Sequence, residues 1–286
     1  MMRNVNVNKL QNQQSCQTSV MVSADFENII FNEDCLHTMQ RQELKGKVNL
    51  VITSPPYNMT NRKGGYADKT KRYDLYEDWR TEDEYIDFIV DVFNGYDNIL
   101  VTDGCVLFNF SYSIENPSLP YKMVANICEK TGFTIADTII WKKPTSIPHP
   151  ASKNRLRRIC EFVYVFARKS EIETFEKNKD FSIGANKQKY YTIVDNFFEA
   201  KNNDGSNELN KATFSTDFVK KLIEIYAKPN SLIYDSFIGI GTTAKGCIET
   251  NNRYVGSELS KKQILNFENW KNNNDMYPKI HFENES

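Results

Sequence analysis

The chain has 286 residues, 40% of them apolar, which suffices for one large core and does not require two domains. Its 36 basic and 37 acidic side chains leave a net charge of −1, which excludes a uniformly basic nucleic-acid binder, so any such site has to come from local basic patches. The six cysteines show no paired spacing, the three histidines lie far apart and no apolar run spans a bilayer, so reduced structural thiols, no metal site, no membrane segment and a cytoplasmic location are expected.

Residues 1–22 are rich in Asn and Gln without periodicity and read as a disordered tail. A strand is expected over 29–31, ending at Asn32-Glu33-Asp34, where Asp34 is a natural N-cap for a helix starting at Cys35. The β-branched run 48–52 is too short for a helix and reads as a buried strand of a parallel sheet. Thr53-Ser54-Pro55-Pro56-Tyr57 then ends it in a stiff corner, because two prolines fix φ and cannot extend the ladder. A hydroxyl, carbonyls without ladder partners and an aromatic ring at such a corner suit a flat base carrying an amino group. Residues 58–79 form a long loop bearing Arg62 and Lys63, which reads either as a phosphate-contacting segment or as an ordinary solvated loop.

Thr81 and Glu84 have capping-box spacing, and Tyr85, Ile89, Val92, Phe93, Tyr96 and Ile99 fall on one helix face, assigned to core packing. A strand over 104–110, a helix over 119–130 entered through Pro120, and strands over 133–141 and 159–167 follow. From Lys142 to Lys169 eight basic residues, among them Lys153, Arg155, Arg157 and Arg158, face the single acid Glu161. Prolines at 144, 148 and 150 argue against a regular element there, so these groups ride on an extended loop able to follow phosphates; a merely solvated face is the alternative. Residues 170–210 are polar and weakly periodic.

Thr213-Phe214-Ser215 leads into a helix with Ser215 as N-cap. A strand over 232–234 feeds Asp235-Ser236-Phe237-Ile238-Gly239-Ile240-Gly241-Thr242-Thr243. The two glycines let the backbone approach a ligand closely, and the following helix presents free N–H groups. A second strand, 253–257, ends at Glu258, an acid suited to two ribose hydroxyls. A nicotinamide dinucleotide site would use the same parts.

The corner at 53–57 resembles motif IV of the DNA amino-methyltransferases in its Ser-Pro-Pro-Tyr form, and 235–243 resembles that family's S-adenosyl-L-methionine loop with Ser236 in place of the usual proline. The catalytic motif precedes the cofactor motif, which is the order of the β group. The resemblance implies an α/β fold: a doubly wound, mostly parallel, Rossmann-like sheet, circularly ordered, with the Asp34 strand first and the Glu258 strand last. It implies that the strands before Ser54 and Asp235 are neighbours, that 133–141 and 159–167 form an antiparallel edge hairpin, and that a catalytic domain over 23–275 carries a basic target-recognition insert at about 142–210, followed by a C-terminal tail at 276–286. It implies catalytic roles for Ser54, Pro55, Pro56 and Tyr57, and cofactor contacts from Asp34, Thr213, Phe214, Ser215, Asp235, Phe237, Gly239, Gly241, Thr242 and Glu258. Arg62, Lys63, Lys153, Arg155, Arg157 and Arg158 are the candidate contacts to double-stranded DNA. Serine at position 54 points to cytosine N4, with adenine N6 as the alternative and a binding module without catalysis as a more distant one. A cognate restriction endonuclease and a homodimer are the partners such a family suggests.

Overall fold

A computed structural model describes residues 26–58, 80–111, 116–144, 153, 156–175, 177–205 and 214–274. The expected tails and most of the 58–79 loop lie outside the described residues. The described residues contain ten strands: β1 (Ile29–Phe31), β2 (Val48–Thr53), β3 (Leu100–Asn109), β4 (Phe133–Lys142), β5 (Cys160–Arg168), β6 (Phe181–Ile183), β7 (Lys189–Tyr191), β8 (Phe197–Glu199), β9 (Leu232–Asp235) and β10 (Arg253–Ser257). Eight of them form one sheet in the order β1-β10-β9-β2-β3-β5-β4-β8, in which β5 alone runs against the rest. This is the doubly wound, mostly parallel arrangement expected.

The helices are α1 (Cys35–Thr38), α2 (Glu82–Ile99), α3 (Leu119–Lys130), α4 (Thr216–Tyr226), α5 (Thr242–Glu249) and α6 (Lys261–Asn273). Alternation along the strands divides the core in two. Val51, Val106, Phe108, Tyr234 and Val255 pack with α1 to α3, whereas Leu50, Ile52, Cys105, Leu107, Ile233 and Tyr254 pack with α4 to α6. The capping box at Thr81 and Glu84 is complete, and every residue of the expected α2 stripe is fully buried. Phe93 on that stripe meets Phe108, Phe133 and Phe166 edge-on at 5.4, 5.6 and 4.9 Å. Such a side chain contributes roughly 1.5–3 kcal/mol by burial. Burial also pushes the Cys105 thiol up to about 12, which suits a packing residue and not a nucleophile. Among the described residues no helix is long and apolar enough to cross a membrane.

Two expectations need correction, and one interval holds strands that its sequence does not signal. The strand placed at 104–110 begins at Leu100, directly where α2 ends. Its early part is irregular: Asp103 has φ 62° and the β2 partner register shifts between Val48 and Leu50, so Thr102-Asp103-Gly104 reads as a turn although the strand runs through it. The antiparallel pair β4 and β5 is present, but it is not the edge, because β8 adds in parallel outside β4 through Ile140, Trp141 and Lys142. Finally, the weakly periodic 170–210 interval contains β8 and the β6–β7 hairpin, whose strands are exposed throughout and therefore carry no burial pattern to read.

Candidate active site

β2 and β9 lie side by side, with Leu50 opposite Ile233 and Val51 opposite Tyr234. The chain leaves β2 toward β3 and leaves β9 toward β10, so the two strands diverge here, the point at which doubly wound sheets open a ligand crevice beyond the strands' C-terminal ends. Asp235 ties those ends together. Its Oδ1 accepts from Thr53 Oγ1 at 2.7 Å and from the Phe237 N–H at 3.0 Å, and its Oδ2 accepts from Thr243 Oγ1 at 2.6 Å. Asp235 is 3% exposed. Burial pushes its pKa up to about 6, with the three hydrogen bonds pulling the other way. Asp235 is thus a clamp joining the end of β2, the loop after β9 and the start of α5, and its oxygens face protein.

Beyond Thr53 the chain turns through half-buried Ser54, buried Pro55, and half-buried Pro56 and Tyr57. Tyr85, on the buried face of α2, donates its hydroxyl to the Pro56 carbonyl at 3.0 Å, which pins the turn from behind. The Tyr57 ring lies 4.7 Å from the Phe110 ring at 68°, so part of the aromatic surface expected to be free is packed. Asn109, the last residue of β3, was not singled out by its sequence context. Its Oδ1 accepts from both Ser54 Oγ and the Tyr57 hydroxyl at 3.4 Å, while its Nδ2 donates to the Phe162 carbonyl at 3.0 Å.

On the other side of the crevice, Gly239 and Gly241 have φ of 55° and 80°, the left-handed region that glycine tolerates. The Gly239 N–H donates to Glu258 Oε2 at 2.9 Å, and the Ser260 N–H donates to Oε1 at 2.7 Å, fixing the half-buried carboxylate at the end of β10. Gly241 has a further reason to be glycine. A Cβ there would stand 2.3 Å from the Phe267 ring, so the packing of α6 requires it. Asp34 caps α1, its Oδ1 accepting from the Leu36 N–H at 2.8 Å. Because β1 and β10 are parallel with Phe31 opposite Ser257, Asp34 and Glu258 leave the same edge of the sheet, and Asn32 Nδ2 bridges the Glu258 and Leu259 carbonyls.

Phe214 is buried and Ser215 caps α4, accepting from the Phe218 N–H at 3.3 Å. Asp204, another residue without a sequence signal, accepts from the Thr216 N–H with both oxygens at 3.0 Å and from the Thr216 hydroxyl, which fastens this segment to the insert. Phe237 is half-buried with its ring 6.1 Å from Phe88, and Thr242 is buried in the first turn of α5. Thr213, Arg62, Lys63 and Arg155 lie outside the described residues.

The basic interval divides. Lys142 pairs with Glu199 and Lys143 with Glu161, Arg168 is held by Asp97 and Glu171, and Lys169 Nζ donates to the Thr131 carbonyl. These four flank β4 and β5 and serve the fold, so the charge tally along the sequence overstates what faces a ligand. Lys153 and Arg157 are exposed and Arg158 is half-buried, all just before β5.

A family model described as DNA methylase, of the N6/N4 methyltransferase kind, matches residues 48–269. The type II methyltransferase M.BglII of Bacillus subtilis is 22% identical over 277 residues, covering 86% of this chain and 71% of the relative. The orphan methyltransferase M.BamHII of Bacillus amyloliquefaciens is 25% identical over 245 residues, covering 75% and 85%. Among solved structures, PvuII DNA methyltransferase (cytosine-N4-specific) superposes with a TM-score of 0.63 at 17% identity over 84% of each chain. The M1.HpyAVI–SAM complex gives 0.54 at 20% identity, over 84% of this chain and 97% of that one.

Proposed function

The chain belongs to the DNA methylase family of N6 and N4 amino-methyltransferases, and from that premise we propose that it methylates the exocyclic N4 of cytosine in double-stranded DNA. Its cofactor is S-adenosyl-L-methionine. The crevice suits that group. Glu258, oriented by the Gly239 and Ser260 N–H groups at the end of β10, is the carboxylate proposed for the ribose hydroxyls. In this reading Asp34 receives the adenine, Phe237 and the loop at Gly239 and Gly241 line the nucleoside, Thr242 opens the helix behind it, and Phe214 and Ser215, with Thr213, border the methionine end. Bound there, the cofactor supplies an electrophilic sulfonium methyl.

The corner does the rest. The amino nitrogen of a base shares its lone pair with the ring and is a poor nucleophile. Ser54 Oγ and the Pro55 carbonyl accept its two N–H bonds, which draws the lone pair out of conjugation and favours the positive charge that develops on nitrogen. Pro55 and Pro56 hold these acceptors in place, and Tyr57 offers a stacking surface. Extruding a base costs a few kcal/mol, and stacking on an aromatic ring returns roughly 1–3 kcal/mol. Phosphate contacts must supply the difference, and Arg62, Lys63, Lys153, Arg155, Arg157 and Arg158 are the residues proposed for them. The type II names of the relatives support a cognate restriction endonuclease as the cellular counterpart.

Ser54 carries the base assignment, since an aspartate at the head of this corner is the commoner adenine form. Mapping modified bases in DNA from cells expressing the protein tests it. Methylation confined to cytosine N4 within one short sequence is expected, and methylation confined to adenine N6 would reject the assignment.

A further inference from the structure

Asn109 is 3% exposed and stands at the end of β3, behind Ser54 and Tyr57. Its amide orientation is dictated by chemistry: the Phe162 carbonyl can only accept, so the side-chain nitrogen must face it at 3.0 Å. The oxygen is thereby turned toward the two hydroxyls, each at 3.4 Å. An amide oxygen cannot donate, so in each of these contacts the hydroxyl is the donor.

We infer that Asn109 is a positioning residue that makes Ser54 an obligate acceptor, by taking its one proton and leaving its lone pairs for the N–H bonds of the target base. A free serine hydroxyl rotates and can present a proton to the amino nitrogen, competing for the very lone pair that must attack. Asn109 removes that orientation by holding the Ser54 proton at a fixed point on β3. The bonds are long for O–H···O contacts, which matches a site whose hydrogen bonds tighten only when the substrate is in place. This inference rests on the Ser54 role proposed above.

The test is a double-mutant cycle read by single-turnover methyl transfer, with cofactor KM and DNA Kd measured in parallel. Ser54→Ala is expected to slow transfer about 10²-fold, the effect typical of removing one preorganised group at a developing charge. Asn109→Leu is expected to slow it roughly tenfold, with KM and Kd within about twofold of wild type, and the double variant should be no slower than Ser54→Ala alone. Asn109→Asp should recover most of the rate. In so buried a place its carboxyl keeps a proton, donates it to the Phe162 carbonyl and still offers an acceptor to Ser54. If Asn109→Leu does not fold, Asn109→Ala carries the same cycle. Multiplying effects in the double variant, or Asn109→Asp as slow as Asn109→Leu, would overturn the inference while leaving Ser54 in its role. Wild-type rates in Ser54→Ala would instead remove the proposed role of Ser54 itself.

Discussion

Replacing Asp235 by Asn tests whether the junction of the two ligand loops is built on a buried charge. In the native protein burial pushes the carboxyl up from 3.8 to about 6, which corresponds to about 3 kcal/mol. The direction follows from proton binding: the folded state holds this proton more tightly than the unfolded chain. Its contribution to stability is therefore greatest below about pH 4, falls as pH rises, and levels off above about pH 6. Asn cannot ionise. Its oxygen can still accept from Thr53 and the Phe237 N–H, and its amide can donate to Thr243 once that hydroxyl turns to accept. Relative to wild type, Asp235→Asn should gain about 2–3 kcal/mol between pH 4 and pH 7. Urea denaturation of both proteins at half-unit pH steps measures the difference directly, and other titrating groups cancel between them. A difference that stays constant from pH 4 to pH 7 would refute the reasoning.

Other positions should respond in different ways. Gly241→Ala meets a left-handed φ, costing about 1–2 kcal/mol, and forces Phe267 aside for about 1–3 kcal/mol more; thermal unfolding should show a large loss, and an unchanged midpoint would contradict the packing at α6. Gly239→Val should weaken cofactor binding by calorimetry, and an unchanged dissociation constant in a folded protein would take that loop out of the site. Arg157→Ala should weaken DNA binding and lower the salt-dependence slope by about one unit if its contact is to phosphate. A wild-type slope combined with acceptance of new target sequences would place the contact on a base edge instead. Tyr57→Ala should lower turnover more than DNA affinity, whereas wild-type transfer would show that the base does not sit at this corner.

What the sequence discloses depends on how far each feature is determined locally. The corner at 53–57, the glycine loop at 235–243 and the capping box at Thr81 depend on residues whose backbone chemistry is distinctive, so both loops and the strands feeding them can be read without a structure. The pairing of β2 with β9 followed from the family resemblance and is present. Asn109 and Asp204 escape because their roles lie between residues distant in the chain: Asn109 reaches Ser54 across 55 positions, and Asp204 holds the start of α4. The start of β3 is hidden by a turn-like tripeptide inside a strand, and β6 to β8 by short segments with little burial to set a period. The basic interval misleads for a related reason. Charge can be counted along a chain, but the partners of Lys142, Lys143 and Arg168 come from other elements.

The most direct test of the central claim is a digest of duplex DNA treated with the purified protein and tritiated S-adenosyl-L-methionine, separated into nucleosides. Label in N4-methylcytosine, with none in 5-methylcytosine, is the predicted result. Label found only in N6-methyladenine would contradict the assignment drawn from Ser54, and label in 5-methylcytosine would contradict direct transfer to an amino nitrogen.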